Sequence, residues 1–138
     1  MVPISIAYQG ELRCIATHDN SGTTFITDAP KDNSGKGESF SPTDLVATAL
    51  GSCMVTTMGI ASKKEGLNIH LDGTTILIEK HMSIDAPRRI ARLVARLKFP
   101  TGIPVYYRSR LQEIGDHCPV AKSLNPNIHL DIFYEYPD

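Results

Sequence analysis

One stretch of this chain, residues 41–66, has the pattern of a long helix that is apolar on almost every face. It opens with Ser41 directly before Pro42, and Asp44 follows three residues after the serine. That pattern is typical of a capped helix start with proline at the first helical position. Gly66 comes after a pair of lysines and a glutamate, and a glycine in that position indicates the end of the helix.

Between these ends, Asp44 is the only charged side chain before Lys63. A helix that is apolar nearly all round is expected to be buried, so this segment should form the centre of the fold. Its threonines, serines and glycines predict a segment too short and too polar to span a membrane. A thiol, that of Cys53, lies in the middle of the predicted buried helix.

The rest of the chain predicts strands before the helix and a mixture of strands and helices after it. Period-two alternation predicts an antiparallel meander, with a first turn at Gln9-Gly10. The fold class is therefore α+β. The predicted elements are strands within 3–18 and 23–27, the long helix, strands 74–82 and 90–99, helices 104–117 and 118–124, and a last strand over 128–136.

A polar loop, residues 28–40, connects the meander to the long helix. Thirteen residues without regular structure are many for a compact domain, and loops of that length are often functional. A mobile surface connector is an equally good interpretation of the same pattern.

Length and charge limit the classes of protein to which the chain can belong. At 138 residues it is expected to form one domain over residues 1–138. The net charge is −1, and no basic cluster with interleaved aromatic residues occurs, so no nucleic-acid partner is expected. The first ten residues lack the pattern of a secretory signal, which favours the cytoplasm. Three cysteines at wide spacing do not resemble a secreted disulfide framework.

Known motifs exclude several chemistries. The five histidines are scattered and no CxxC or HExxH occurs, so no metal site is expected. No glycine-rich nucleotide-binding motif is present, and Gly51-Ser52-Cys53-Met54 lacks the second glycine of a hydrolase nucleophile elbow. A hydrolase or transferase that pairs Cys53 with His117 has no spacing in its favour.

The three thiols have different sequence contexts. Cys53 on an apolar helix, taken alone, is more often a small core residue than a nucleophile. Cys118 directly precedes Pro119 at a predicted helix start, where free N–H groups favour a thiolate. Cys14 alternates with Leu12 and Ala16, which favours a buried structural thiol. Spacing alone does not show whether the first two meet.

Two segments, FSPTDLVATALGSCM and DHCPVAKSLNPNIHLDIFYEY, resemble the OsmC/Ohr family, named for osmotically induced protein C and organic hydroperoxide resistance protein. Its members carry one cysteine in a buried central helix and a second in a Cys-Pro motif ahead of the last strand. The resemblance covers essentially the whole chain. It implies an OsmC-like fold of antiparallel strands around a long buried central helix, and an intertwined homodimer with active sites at the subunit interface.

The resemblance also implies a chemistry without metal, haem or flavin. Cys53 would be the peroxidatic residue of a thiol peroxidase, attacking a hydroperoxide substrate, and Cys118 the resolving residue that closes a disulfide. An external dithiol would reduce that disulfide. Arg13 lies where the activating arginine is expected, and a surface arginine on a strand is the alternative interpretation of this residue. Leu50 and Met54 would suit a pocket for bulky organic peroxides, or equally a plain core.

One departure from the family pattern points to the OsmC-like branch. The hydroperoxide-resistance branch orients its arginine with a glutamate ten residues before the first cysteine, and this chain has Thr43 there. Asp44 and Glu38 are the candidates to replace it. The missing glutamate also favours a second hypothesis, a non-catalytic OsmC-like protein that binds a small ligand or senses oxidants.

Overall fold

A computed structural model describes all 138 residues. The elements are β1 (Ile4–Gly10), β2 (Arg13–His18), β3 (Thr23–Asp28), α1 (Pro42–Lys64), β4 (Thr75–Met82), β5 (Ile90–Lys98), α2 (Val105–Asp116), α3 (Pro119–Ser123) and β6 (His129–Glu135). The chain divides into two compact units, Met1–Val46 and Ala47–Asp138. The single domain expected from the length stays a prediction.

The first unit contains the predicted antiparallel meander, with strand order β1-β2-β3. Its first turn lies at Glu11 and Leu12, both with left-handed backbone (φ 52° and 64°), and not at Gln9-Gly10 as predicted. The difference arises because Gly10, at φ 84°, accommodates a register shift after Tyr8. Strand β1 therefore continues through the glycine before it turns.

Backbone hydrogen bonds shape the loop between β3 and α1. The amide of Asp28 donates to the carbonyl of Phe40 (3.1 Å), and the amide of Gly37 donates to the carbonyl of Ala29 (3.2 Å). Gly35 packs so closely that a Cβ there would lie 1.7 Å from the Ala29 carbonyl oxygen. Only glycine fits at this position, because any side chain would collide with the backbone of Ala29. The two hydrogen bonds fold the loop back onto the end of β3.

Both predicted ends of helix α1 are confirmed. The Ser41 amide donates to Asp44 Oδ2 (2.9 Å) and the Asp44 amide donates to Ser41 Oγ (3.1 Å), which is a reciprocal capping box. At the other end, Gly66 takes φ 69° and the Leu67 amide donates to the carbonyl of Ser62 (3.0 Å).

The predicted burial of α1 on every side is wrong for the single chain. One face is buried, whereas small polar residues and one isoleucine on the opposite face are exposed: Thr48, Ser52, Thr56 and Ile60. The prediction that the segment is too short and too polar to span a membrane is also wrong, because α1 is long and apolar enough by length and composition. Helices at the centre of a folded core meet the same criterion, and α1 supplies three wholly buried side chains to a core: Leu50, Met54 and Met58.

The second unit is built on a sheet of order β4-β5-β6. Strands β4 and β5 form the predicted antiparallel hairpin, but β6 pairs with β5 in parallel. The prediction of antiparallel strands therefore holds for one of the two pairings. The connection from β5 through α2 and α3 is long enough to return the chain to the end where a parallel strand must begin.

Helix α1 packs on this sheet through Gly51, where a Cβ would lie 3.0 Å from Cγ1 of Ile78. The apolar cluster that results includes one face of β5 and the inner side of α2, namely Leu93, Ala95, Leu97, Tyr107, Leu111 and Ile114. Cys118 belongs to the same cluster, and Cys53 packs against it. The two cysteines thus lie in one unit of the fold.

Candidate redox site

Cys53 lies half-buried on α1. One turn further on, Thr57 brings its Oγ1 to 3.7 Å from the Cys53 sulfur. As donors, the backbone N–H of Val120 and the thiol of Cys118 also act to lower the pKa of this thiol. Three donors therefore converge on one thiol.

Cys118 is the N-cap residue of α3, and its side chain is wholly buried. Its sulfur accepts a hydrogen bond from the amide of Ala121 (3.5 Å). Pro119 occupies the first position of this short helix, as predicted. The Cys-Pro motif thus has a local structural reason, because the sulfur caps the helix and the proline lacks the N–H that a helix start leaves unpaired.

The two thiols differ in acidity. Burial alone would raise the pKa of the Cys53 thiol, but the hydrogen bonds from Val120, Thr57 and Cys118 bring it below its ordinary value. Burial raises the pKa of the Cys118 thiol, and the neighbouring Cys53 raises it further. As the pH rises, Cys53 therefore loses its proton first, while Cys118 stays protonated and donates to it.

The environment behind Cys118 is tightly packed. A Cβ on Gly115 would lie 2.5 Å from the Met58 Cε and 2.7 Å from the Tyr134 hydroxyl. That hydroxyl donates to Asp116 Oδ1 (2.6 Å), and burial together with this carboxylate raises the pKa of Tyr134 far above its ordinary value. Tyr134 therefore stays protonated, and it packs in this region as a neutral side chain.

The two predicted pocket residues lie in the core. Leu50 and Met54 have no exposed surface in the chain, which favours the alternative that they are plain core residues. Their contact with a substrate stays a prediction.

In the first unit, Arg13 lies between two carboxylates. Its Nη2 donates to Glu38 Oε1 (3.0 Å) and to Asp28 Oδ2 (3.3 Å). The Asp28 side chain is only 1% exposed, and its Oδ2 also accepts the amide of Glu38 (3.0 Å). Against the effect of burial, the Glu38 amide and the Arg13 guanidinium hold the pKa of Asp28 below its ordinary value. We call Arg13, Asp28 and Glu38 the carboxylate cluster.

Of the two candidates to replace the missing glutamate, Glu38 contacts Arg13, whereas Asp44 is used in the cap of α1. Asp28 was not predicted from the sequence. A signal for it existed, because Arg13 begins β2 and Asp28 ends β3, and an antiparallel pairing of these strands sets the two residues opposite each other. The role of Arg13 toward Cys53 stays a prediction, since the two residues belong to different units.

Thr57 and Val120 were not predicted from the sequence either. Thr57 follows Cys53 by four residues, the spacing at which helical side chains meet, so its contact could have been anticipated. Val120 acts through its backbone N–H, which no side-chain pattern reveals. Cys14, by contrast, is a half-buried free thiol in the first unit. No group of three or more histidine, cysteine or acidic side chains is arranged to hold a metal ion.

Comparison with known proteins identifies the family to which the chain belongs. Residues 35–133, which contain both Cys53 and Cys118, match the model of the family described as OsmC-like protein. No curated protein matches the chain. Among solved structures, a candidate osmotic stress induced and detoxification response protein from Psychrobacter arcticus 273-4 is 39% identical, with a TM-score of 0.89 over 98% of this chain and 96% of that one.

More distant structures share the fold. An organic hydroperoxide resistance protein OsmC from Legionella pneumophila is 12% identical, with a TM-score of 0.76 over 98% of this chain and 96% of that one. An organic hydroperoxide resistance protein from Elizabethkingia anophelis is 17% identical, with a TM-score of 0.73 over 99% and 96% of the two chains. Together with the match over residues 35–133, these findings show that the chain belongs to the OsmC-like family.

Proposed function

We propose that the protein is a cysteine-based thiol peroxidase that reduces organic hydroperoxides, with an external dithiol as the final reductant. The observation that carries the proposal is the contact between two thiols whose pKa values are shifted in opposite directions. A nucleophile that must attack as thiolate is paired with a protonated partner, which is the arrangement that a disulfide-forming cycle needs. The fold relatives named for hydroperoxide resistance add support at low identity.

The first step uses the acidity of Cys53. Its thiolate attacks the terminal oxygen of the hydroperoxide ROOH, so a sulfur–oxygen bond forms while the oxygen–oxygen bond breaks. Cys53 is oxidised to the sulfenic acid, and the alkoxide RO⁻ leaves and takes up a proton to become the alcohol. The hydrogen bonds from Val120 and Thr57 keep the thiolate populated before attack.

The second step uses the contact with Cys118. Its sulfur attacks the sulfenic sulfur of Cys53, a disulfide forms, and the hydroxyl group leaves as water with the Cys118 proton. An external dithiol then exchanges with the disulfide, returns both thiols and is itself oxidised. The cycle needs no metal, haem or flavin.

We assign to Arg13 the task of polarising the peroxide, as the family resemblance implies. Its support in this chain is the carboxylate cluster, in which Glu38 and Asp28 bind the guanidinium. They would take the place of the glutamate that orients the arginine in the hydroperoxide-resistance branch and that Thr43 replaces here. The oxygen developing negative charge would then meet a fixed positive group.

We further propose that the protein works as a homodimer. Apolar side chains on one face of the meander are 46–68% exposed in the single chain: Ile4, Ile6, Tyr8 and Phe25. A second copy would cover this apolar surface, and the oligomeric state tests the proposal. Light scattering coupled to size exclusion measures this directly, and a monomer at micromolar concentration would contradict it.

The test of the peroxidase is turnover of cumene hydroperoxide with dithiothreitol as the reductant. Cys53→Ser should abolish turnover, and Cys118→Ser should slow it strongly because the sulfenic acid then lacks its internal partner. Cys14→Ser is the matched control and should keep the rate of the unmodified chain. Intact mass after one equivalent of peroxide should show the loss of two hydrogens, with the disulfide mapped to Cys53 and Cys118.

Two outcomes contradict the proposal. If Cys53→Ser keeps the full rate, the nucleophile is misassigned. If the unmodified chain is oxidised stoichiometrically but never turns over with any dithiol, the protein is an oxidant sensor or a non-catalytic binding protein.

A further inference from the structure

The hydroxyl of Thr57 is directed differently from the hydroxyls of two serines on α1. Ser52 Oγ donates to the carbonyl of Thr48 (2.8 Å), and Ser62 Oγ donates to the carbonyl of Met58 (2.9 Å). Such bonds back to the preceding turn are the common use of a hydroxyl inside a helix. Thr57 Oγ1 instead lies 3.7 Å from the Cys53 sulfur.

The direction of this hydrogen bond follows from the protonation state of the sulfur. A thiolate carries no proton and only accepts, so the Thr57 hydroxyl must be the donor once Cys53 ionises. A second donor, the Val120 N–H, reaches the same sulfur from α3. Donors on two different elements, α1 and α3, thus act on the Cys53 sulfur.

We propose that Thr57 is a positioning residue for Cys53, whose hydroxyl donates to the thiolate and holds the sulfur toward Val120 and Cys118. The proposal rests on the proposed function only in naming Cys53 as the attacking residue. The hydrogen bond itself is a property of the reduced protein and is measurable without any peroxide.

The titratable surroundings of Cys53 are simple. Cys118 faces it from α3, and behind Cys118 lies the hydroxyl of Tyr134, bonded to Asp116. Thr57 does not titrate, so replacing it removes a donor without adding or removing a charge. A change in the acidity of Cys53 is then attributable to the lost hydrogen bond.

The first experiment compares Thr57→Val with Thr57→Ser and with Thr56→Val. Valine keeps the shape of threonine and removes only the hydroxyl, serine keeps the hydroxyl, and Thr56 is the exposed neighbour that serves as the matched control. The pH dependence of iodoacetamide labelling of Cys53, followed by peptide mass, gives its titration midpoint. Thr57→Val should raise the midpoint by about one unit, a tenfold loss of thiolate at neutral pH.

The serine variant should restore the midpoint, and Thr56→Val should leave it unchanged. A midpoint in Thr57→Val equal to that of the unmodified chain overturns the proposal. A raised midpoint that Thr57→Ser fails to restore overturns it as well, because the effect would then come from packing of the methyl group and not from the hydroxyl.

The second experiment measures the rate of reaction with cumene hydroperoxide against pH. Thiolate nucleophilicity rises with pKa with a coefficient of about 0.5, so Thr57→Val should react about threefold more slowly at low pH and about threefold faster above both midpoints. A uniform loss at every pH indicates a structural role and contradicts the proposal. If no variant consumes peroxide but the labelling midpoint still moves, the peroxidase fails while the positioning role of Thr57 holds.

Discussion

The carboxylate cluster and the thiol pair each favour the ionised form of one side chain, but they do so through different kinds of partner. In the cluster, the buried carboxylate of Asp28 stays ionised because a guanidinium and a backbone amide compensate its charge. In the thiol pair, Cys53 is made acidic by three neutral donors, of which one is a backbone amide. Backbone dipoles and a full positive charge act together in the first region, whereas only neutral donors act in the second.

This difference determines whether each region is sensitive to pH or to the position of its hydrogen-bond donors. The formal charge on Asp28 responds to acid, where its carboxylate takes up a proton. Hydrogen bonds from neutral donors are sensitive to small displacements, because moving a hydroxyl or an amide by about 1 Å weakens the bond steeply. The charge of Asp28 should therefore depend on pH, and the acidity of Cys53 on the groups that donate to it.

The largest expected effect concerns the loop that holds Glu38. In Gly35→Ala, the new methyl group would meet the backbone carbonyl of Ala29, which has no flexible end to yield. We expect the free energy of unfolding to fall by about 3 kcal/mol, at the upper end of the usual cost of overpacking. Urea unfolding followed by circular dichroism measures it.

Gly59→Ala is the matched control, because a Cβ there meets nothing within 4 Å. Alanine inside a helix should stabilise the chain by about 0.5–1 kcal/mol relative to glycine. If Gly35→Ala proved as stable as this control, the close approach of the loop to Ala29 would be wrong.

A second prediction separates the two thiols. In Cys118→Ala, Cys53 loses one donor and its pKa should rise. In Cys53→Ala, Cys118 loses the neighbour that raises its pKa, so its pKa should fall. Each change is expected to alter the thiolate fraction about threefold, or half a pKa unit.

Labelling of the remaining cysteine against pH checks both halves of this prediction. Cys14→Ser, in the other unit, should move neither midpoint and is the control. Shifts of the same sign in the two variants would show that the thiols do not act on each other as donor and acceptor.

The smallest expected effect tests the cluster by acid. The pKa of Asp28 is held below its ordinary 3.8, so its ionised form stabilises the fold above that value and the stabilisation is lost as the pH falls through the lowered pKa. Asp28→Asn should therefore reduce the proton uptake on unfolding near pH 4, by up to about one proton. Urea midpoints between pH 7 and pH 2 supply this number.

Glu38→Gln is the comparison variant, since its side chain is 61% exposed and its ion pair should contribute less than about 1 kcal/mol. An unchanged acid dependence in Asp28→Asn, or a larger change in Glu38→Gln, would contradict the assignment of Asp28 as the buried member of the cluster.

Much of the fold was predictable from local patterns. The capping box at Ser41 and Asp44, the left-handed Gly66 and the proline after Cys118 each act within a few residues, so the sequence contains the whole interaction. The Gln9-Gly10 turn was predicted two residues early because a glycine serves a register shift as well as a turn. Local rules do not distinguish these two uses.

The candidate site was predictable only in part. Family resemblance indicated Cys53 and Cys118, and spacing could have added Thr57. Asp28 required the register of β2 against β3, and the parallel pairing of β6 required the path of two helices between strands. The exposed face of α1 was not predicted, since an apolar pattern reports what a side chain prefers and not what covers it.

The sequence by itself determined the elements, the capped long helix and the positions of the thiols, because these depend on backbone preferences and on residue identity within one or two turns. Only the tertiary structure decided which thiol is the more acidic. That difference depends on burial and on donors such as the Val120 amide, which lies 67 positions along the chain from Cys53 and reaches the sulfur only when α3 packs beside α1. Acidity of a thiol is a property of its surroundings, and the fold assembles those surroundings from distant parts of the chain.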